Sequence, residues 1–249
     1  EKAISIKHDY HEAFYNMGNT YNELNEYSES IKCYEKAISI KPDKHEAFYN
    51  MGNAYDELQE YSESIKSYEK AISIKHDYHE AFYNMGLAYR KLNEYSESIK
   101  CYEKAISIKH DYHEAFNNMG FAYDELQEYL ESIKCYEKAI AIKHDYSSPY
   151  INLGFTLFKT GNFPKAENIL KQGIELGSID LNNMNLGHVY LTQDKETAAL
   201  VCYVKAYNAF DNKEQYWEGM EDDFQYLEHH GVSKAYYRGI LEKIKSRVE

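Results

Sequence analysis

Proline is scarce in this chain, three residues in 249, and tryptophan occurs once. So little proline excludes polyproline spacers and proline-rich recognition segments. Four cysteines are too few for the disulfide scaffold of a small secreted domain. Cations are outnumbered, 28 Lys and Arg against 41 Asp and Glu, for a formal charge of -13. That balance opposes binding to phosphate backbones or anionic lipid, so neither nucleic acid nor membrane is an expected partner. No apolar run approaches the roughly 20 residues of a membrane span, and no signal peptide is visible, which makes a cytoplasmic location the expectation.

What the chain does have is repetition. The segment EKAISIKHDYHEAFYNMG at Glu1 returns almost unchanged at Glu35, Glu69 and Glu103, a period of 34 residues. With His11–Lys44 as the reference copy, others begin at His45, His79 and His113, a diverged one at Ser147 and a more diverged one near Asp180. Phe14, Met17, Gly18, Tyr21 and Leu24 fall at helical spacing, and after a break so do Tyr27, Ile31, Tyr34, Ala37 and Ile38. Each copy therefore reads as a helical hairpin, with the small residues Gly18, Ser30 and Ala37 letting its helices approach closely. Asn25, Asn93 and Gly161 suit a left-handed residue ending the first helix; Gln59 and Gln127 suit it less well. Asp9 with Glu12, Asp43 with Glu46, Asp77 with Glu80 and Asp111 with Glu114 have capping-box spacing at first-helix starts. Self-similarity of this length implies a solenoid, whose copies bury their apolar faces against neighbours.

Phe14, Met17-Gly18, Tyr21, Ser30, Tyr34, Ala37 and Pro42 occupy the signature places of the tetratricopeptide repeat (TPR), which the chain resembles over roughly four-fifths of its length. His8, His76, His110 and His144 depart from the family's proline between copies. The fifth copy keeps Tyr150, Leu153-Gly154, Ala166 and Gly173; the sixth keeps Leu186-Gly187, Tyr190, Ala199, Tyr203 and Ala206. The resemblance implies an all-α, right-handed superhelical α-solenoid of antiparallel helix pairs. The expected organisation is a second-helix remnant of a preceding copy over 1–10, repeats over 11–44, 45–78, 79–112 and 113–146, diverged repeats over 147–179 and 180–211, and capping helices over 212–249. Starting without Met and halfway through a copy, the chain reads as a piece of a longer array. In the cap, Tyr216, Trp217, Met220, Phe224 and Leu227 form one helical stripe from Lys213 to His230. Gly231 is placed to end that helix and Ser233 to start a last one carrying Tyr236, Tyr237, Ile240, Leu241 and Ile244.

Chemistry finds little to work with. The cluster His8, Asp9, His11 recurs as His76, Asp77, His79 and as His110, Asp111, His113, but no copy supplies the third or fourth convergent ligand of a metal site. Cys33, Cys101 and Cys135 occupy equivalent helical places, with Ser67 in the second copy, which suits buried thiols. None has a sequence-local base or oxyanion loop, and no Gly-rich loop could cradle a phosphate. The expectation is a non-enzyme without metal or cofactor.

A binding surface remains. In TPR arrays the first helices line the concave face, and by resemblance Glu12, Tyr15, Asn16, Asn19, Asn22 and Glu23 point inward here. Asn16 recurs as Asn50, Asn84, Asn118 and Asn152, a row similar to the asparagine ladder in O-linked N-acetylglucosamine transferase. An amide can donate and accept at once, which suits the backbone of an extended peptide; alternatively the asparagines bridge neighbouring helices or merely face solvent. Beside the row stand Tyr15, Tyr49 and Tyr83, followed by Asn117 and Ile151, and a turn further on Asn19, Asn53, Leu87 and Phe121. Glu12, Glu46, Glu80 and Glu114 line the edge, with Glu23, Asp56, Glu57, Asp124 and Glu125 adding negative charge that Arg90 and Lys91 partly offset. The expected ligand is an extended, basic or mixed segment of a partner protein with an apolar anchor. Places corresponding to the carboxylate clamp of chaperone-binding TPR domains hold Tyr15, Asn19, Asn50, Glu80 and Asn84. The required cations are missing, so an acidic chaperone tail is excluded. The rival reading is a structural spacer or self-association element built from stacked copies and array ends.

Overall fold

The computed structural model describes the backbone of residues 2–248 and side chains from Tyr10 to Val248. Among the described residues there is no strand. The helices are α1 (Lys2–Glu23), α2 (Tyr27–Ile40), α3 (His45–Glu57), α4 (Tyr61–Ile74), α5 (His79–Lys91), α6 (Tyr95–Ile108) and α7 (His113–Glu125). They continue with α8 (Tyr129–Ile142), α9 (Ser148–Lys159), α10 (Phe163–Glu175), α11 (Asp180–Thr192), α12 (Glu196–Ala209), α13 (Lys213–Asp222), α14 (Phe224–His229) and α15 (Lys234–Val248). Glu1–Leu126 and Gln127–Glu249 form two compact units.

In the first unit, α1 pairs with α2, α3 with α4 and α5 with α6, and each second helix also packs on the first helix of the next copy. The pairing rests on one contact made three times. Tyr34, Tyr68 and Tyr102 are at most 1% exposed and lie flat against Gly18, Gly52 and Gly86. A Cβ at any of these glycines would stand 2.6 Å from the ring. Ser30 Oγ and Ser98 Oγ then donate to the Gly18 and Gly86 carbonyls, both at 2.8 Å. Ala37, Ala47, Ala54, Ala71 and Ala81, all fully buried, complete the close approach.

Asn25, Gln59, Asn93 and Gln127 all adopt φ between 59° and 61°, so glutamine does take the left-handed position that suits it poorly. The capping-box expectation is not met. The starts of α3, α5 and α7 fall one residue late, their N-cap residues are Lys44, Tyr78 and Tyr112, and no side chain caps them. Asp43, Asp77 and Asp111 instead offer backbone carbonyls to the amides of His45, His79 and His113. Glu46, Glu80 and Glu114 sit in the first turn, where the helix dipole favours an acid. A second difference lies at the N-terminus, where α1 runs unbroken from Lys2 to Glu23. Residues 1–10 are thus not set off from the first copy, and Asp9 lies inside a helix rather than capping one; its side chain is outside the described residues.

The second unit pairs α9 with α10 and α11 with α12, and α15 packs on α12. Leu170 replaces the buried tyrosine opposite Gly154, while Tyr203 restores it opposite Gly187. Gly231, at φ 90°, ends α14, and Ser233 Oγ accepts from the Tyr236 amide at the start of α15. The single stripe expected from Lys213 to His230 is broken at Asp223, whose Oδ2 lies 3.2 Å from Nε2 of the fully buried His188. Trp217 packs against Tyr207 and Tyr216, with the Lys245 ammonium over its ring. All four cysteines are free and buried. Burial pushes the Cys101 thiol up to about 12 and Cys202 up to about 11.

Candidate peptide-binding face of the first helices

Successive first helices are tied together by the asparagine row itself. Asn50 Nδ2 donates to Tyr15 Oη at 3.1 Å and to Asn19 Oδ1 at 3.0 Å. Asn84 repeats this one copy later with Tyr49 and Asn53, both at 3.0 Å, and Asn118 donates to Tyr83 at 2.8 Å. Both N–H groups of Asn50 and Asn84 are thereby spent on the neighbouring copy. The amides bridge adjacent first helices and are not free to donate to a ligand. Asn16, at the start of the row, is exposed, and Asn152 is half-buried on α9 in the second unit.

Tyr15, Tyr49 and Tyr83 are also less available than their spacing implies. Each ring meets the buried tyrosine of its own second helix, at centroid distances of 6.0, 5.8 and 5.8 Å. Tyr49 and Tyr83 are covered from the other side by Tyr78 and Tyr112, at 4.9 and 4.8 Å. Lys75 and Lys109 ammonium groups stand over those turn residues. At the first joint Lys44 takes the same place, over the Tyr15 ring at 4.3 Å and bonded to Glu12 at 2.8 Å. That bond holds the Glu12 carboxyl below the usual range. The turn tyrosines were not among the expected site residues. Their signal is the last position of the repeat, where Lys44 gives way to Tyr78, Tyr112 and Tyr146.

The remaining residues of the face comprise an invariant glutamate row and places that differ from copy to copy. Glu46 and Glu80 pair loosely with the adjacent His45 and His79 at 3.4 and 3.1 Å, as Glu114 does with His113 at 3.1 Å. Asn19 and Asn53 accept from Tyr34 and Tyr68 at 2.8 and 2.7 Å. The corresponding Leu87 and Phe121 are half-buried, and the Arg90 guanidinium lies 5.1 Å from the Phe121 centroid. Tyr68 Oη also stands 2.6 Å from Asp56 Oδ2, so its one O–H proton is shared between Asn53 and the carboxylate. Burial nevertheless raises the Asp56 pKa above the ordinary carboxylate value, outweighing the hydrogen bonds that lower it. A cleft of about 380 Å³ opens beside Asp56, lined by Glu57, Gln59, Tyr61, Leu87, Ala88 and Lys91.

The clamp-equivalent positions hold Tyr15, whose ring meets Tyr34, and the acidic Glu80, neither of them a cation. Among the described residues no three His, Cys, Asp or Glu side chains converge as a metal site would require.

Tandem helix pairs, locked by glycine against tyrosine and joined edge to edge by repeated side-chain bonds, define an α-solenoid repeat protein. Residues 18–59, 52–92 and 86–127 match the family described as TPR repeat, and residues 111–177 match that described as Tetratricopeptide repeat. The chain belongs to the tetratricopeptide repeat family, whose members are protein-interaction scaffolds. Among solved structures it is similar to a tetratricopeptide repeat protein from Parabacteroides merdae (16% identity, 95% of this chain and 99% of that one, TM-score 0.71). It is also similar to MamA (24%, 65% and 94%, TM-score 0.63). A third is YrrB, described as a TPR protein with an unusual peptide-binding site (18%, 76% and 97%, TM-score 0.62). No curated protein sequence matches the chain. Among the described residues no helix is long and apolar enough to cross a membrane.

Proposed function

We propose that the first-helix face of α1, α3, α5 and α7 holds an extended segment of a partner protein, without catalysis. The observation that carries this reading is where the four near-identical copies differ. Within the first helix, Tyr15/Tyr49/Tyr83/Asn117, Asn19/Asn53/Leu87/Phe121, Asn22/Asp56/Arg90/Asp124 and Glu23/Glu57/Lys91/Glu125 vary. These places follow one another at i, i+4, i+7 and i+8, a single helical stripe. The only other first-helix difference is Thr20 against Ala54, Ala88 and Ala122, whereas the packing residues between them do not change. A solenoid needing only to stack would have no reason to gather its first-helix differences on that stripe.

In this reading Leu87 and Phe121 form the apolar anchor, and Glu46, Glu80 and Glu114 favour a basic or mixed ligand by charge. The asparagine row sets the spacing of the face, and YrrB supplies a fold-level analogue that binds peptide. The test is affinity capture from a soluble extract using the chain beside a Leu87→Asn, Phe121→Asn variant. These substitutions install the residue already present at Asn19 and Asn53, so folding should survive. A protein retained by the parent and lost by the variant supports the anchor; equal retention rejects this face.

A second reading is favoured by the exposure of α1. Met17 is 41% exposed and Leu24 65%, whereas Met119 is 8% and Leu58 37% exposed. These exposed α1 side chains correspond to ones that inner copies cover, which suits docking of a second copy of the chain against them. Sedimentation equilibrium of the chain and a Met17→Lys, Leu24→Lys variant separates the two readings.

A further inference from the structure

Three successive copies carry a polar side chain at the same register of the variable stripe, and each has a buried atom without a hydrogen-bond partner. They are Asn22 Oδ1, Asp56 Oδ1 and Arg90 Nε. The chemistry changes along the row from neutral acceptor to acid to cationic donor. Beside Arg90, the hydroxyl of Tyr102 is also unpartnered, and that side chain is 0% exposed. Its counterparts Tyr34 and Tyr68 donate to Asn19 and Asn53, but the third copy has Leu87 and Arg90, neither of which can accept. Ser98 Oγ lies close by and donates to the Gly86 carbonyl, but no hydrogen bond joins it to the Tyr102 hydroxyl. The third copy thus presents unmet donors where the second presents an unmet acceptor. Asp56 and Arg90 do not pair with each other among the described residues.

The joints reinforce the contrast. Tyr27 Oη and Tyr95 Oη donate to Asn25 and Asn93 at 2.8 and 3.0 Å and also stand 3.5 and 3.3 Å from Glu57 Oε2 and Glu125 Oε2, spanning the gap between a second helix and the next first helix. At the joint between them the equivalent of that glutamate is Lys91, which cannot accept from Tyr61, and the 380 Å³ cleft beside Asp56 lies open there. Lys91 is exposed and forms no ion pair with Asp56 or Glu57 among the described residues.

Building on the proposed peptide-binding face, we infer that it reads a pair of opposite charges: a basic side chain of the partner enters the cleft to Asp56, and an acidic one meets the Arg90 guanidinium. Adjacent helices pack roughly 10 Å apart, and an extended chain covers that distance in about three residues. The recognised segment therefore has a basic and an acidic residue about three positions apart. Tyr61 and Leu87 provide the walls for the stem of the basic side chain.

The probe is a set of fluorescent synthetic peptides, unstructured and built on one Ala/Ser background with a central Leu. Each carries Lys and Glu at separations of one to five residues, with Lys/Lys and Glu/Glu controls. Binding is read by anisotropy at low ionic strength, where exposed charges are least screened. Peptides with the three-residue separation should bind about tenfold tighter than both like-charge controls, as expected for charge-assisted bonds in a partly buried site. Asp56→Asn, which installs the residue native at Asn22, should abolish the preference for Lys and keep that for Glu; Arg90→Gln should do the reverse. Lys91→Ala should tighten binding a few-fold. Binding that ignores charge and both substitutions overturns the charge-pair inference and leaves the peptide-binding face standing. If no peptide binds, the inference falls, and the capture experiment with Leu87→Asn, Phe121→Asn then decides the face independently.

Discussion

Three tyrosines in equivalent places offer a controlled measurement of what one buried hydroxyl does. Tyr34, Tyr68 and Tyr102 are at most 1% exposed and press on the same glycine, so replacing each with Phe removes the same atom from the same packing. Only the partners differ. Tyr34→Phe loses a neutral bond to Asn19 at 2.8 Å and should cost about 1 kcal/mol. Tyr68→Phe loses the one O–H proton shared between Asn53 and the Asp56 carboxyl, the latter at 2.6 Å. It strips Asp56 Oδ2 of that donor, and a bond to a charged group is worth about 1.5–3 kcal/mol. Tyr102→Phe removes a hydroxyl that has no partner; relief of its desolvation should stabilise by about 1 kcal/mol. Urea denaturation followed by far-ultraviolet circular dichroism would report these as midpoint shifts at unchanged slope. The expected order of stability is Tyr102→Phe, parent, Tyr34→Phe, Tyr68→Phe. A Tyr102→Phe protein as destabilised as Tyr34→Phe would refute the reasoning, since the loss would then belong to the ring position and not to the hydrogen bond.

Three further outcomes follow from the same geometry. Gln59→Gly should stabilise by about 0.5 kcal/mol in thermal melts, because relief of a left-handed φ of 59° exceeds the entropy that glycine adds to the unfolded chain. Asp56 has its pKa raised by burial, so the folded state holds the proton more tightly than the unfolded state. Its ionisation lowers stability as pH rises from the unfolded carboxylate pKa through the raised one, and the penalty persists above. Asp56→Asn should therefore be more stable than the parent at neutral pH, with the advantage shrinking under acid; an advantage that grew on acidification would reverse the sign of the argument. Gly86→Ala would place a Cβ 2.6 Å from Tyr102 Cε1. Overpacking of about 1–3 kcal/mol should outweigh a helix-propensity gain of about 1 kcal/mol, lowering the denaturation midpoint.

The period, the helix pairs and the family were legible because each is a local or repeated pattern. Left-handed turns were readable from Asn25 and Asn93, and Gln59 and Gln127 inherit that conformation because the surrounding hairpin dictates it. Helix starts were less legible. The Asp-to-Glu spacing fits a capping box, but the chain enters each helix one residue late, which a one-residue shift in pattern cannot reveal. At the face, both rows were visible in the sequence while their relation was not. Asn50 stands 35 residues from Tyr15 and 31 from Asn19, distances that become contacts only when one helix is laid beside the next. The same stacking hides Tyr49 and Tyr83 behind Tyr78 and Tyr112. It also leaves Asp56 and Arg90, which read from sequence as mere surface charge, with atoms that lack partners.

The Asn–Tyr–Asn bond between copies has a consequence for how such an array can be edited. Asn84 meets at Tyr49 and Asn53 the same groups that Asn50 meets at Tyr15 and Asn19. Excision of residues 45–78 would join Lys44 to His79 and let Asn84 dock on Tyr15 and Asn19 without a new interface being designed. The shortened array would keep its seams but change its message, since Asn22 would then neighbour Arg90 and the acid at Asp56 would be gone. A protein built in this way can gain or lose a recognition element as a cassette, with folding and specificity inherited separately.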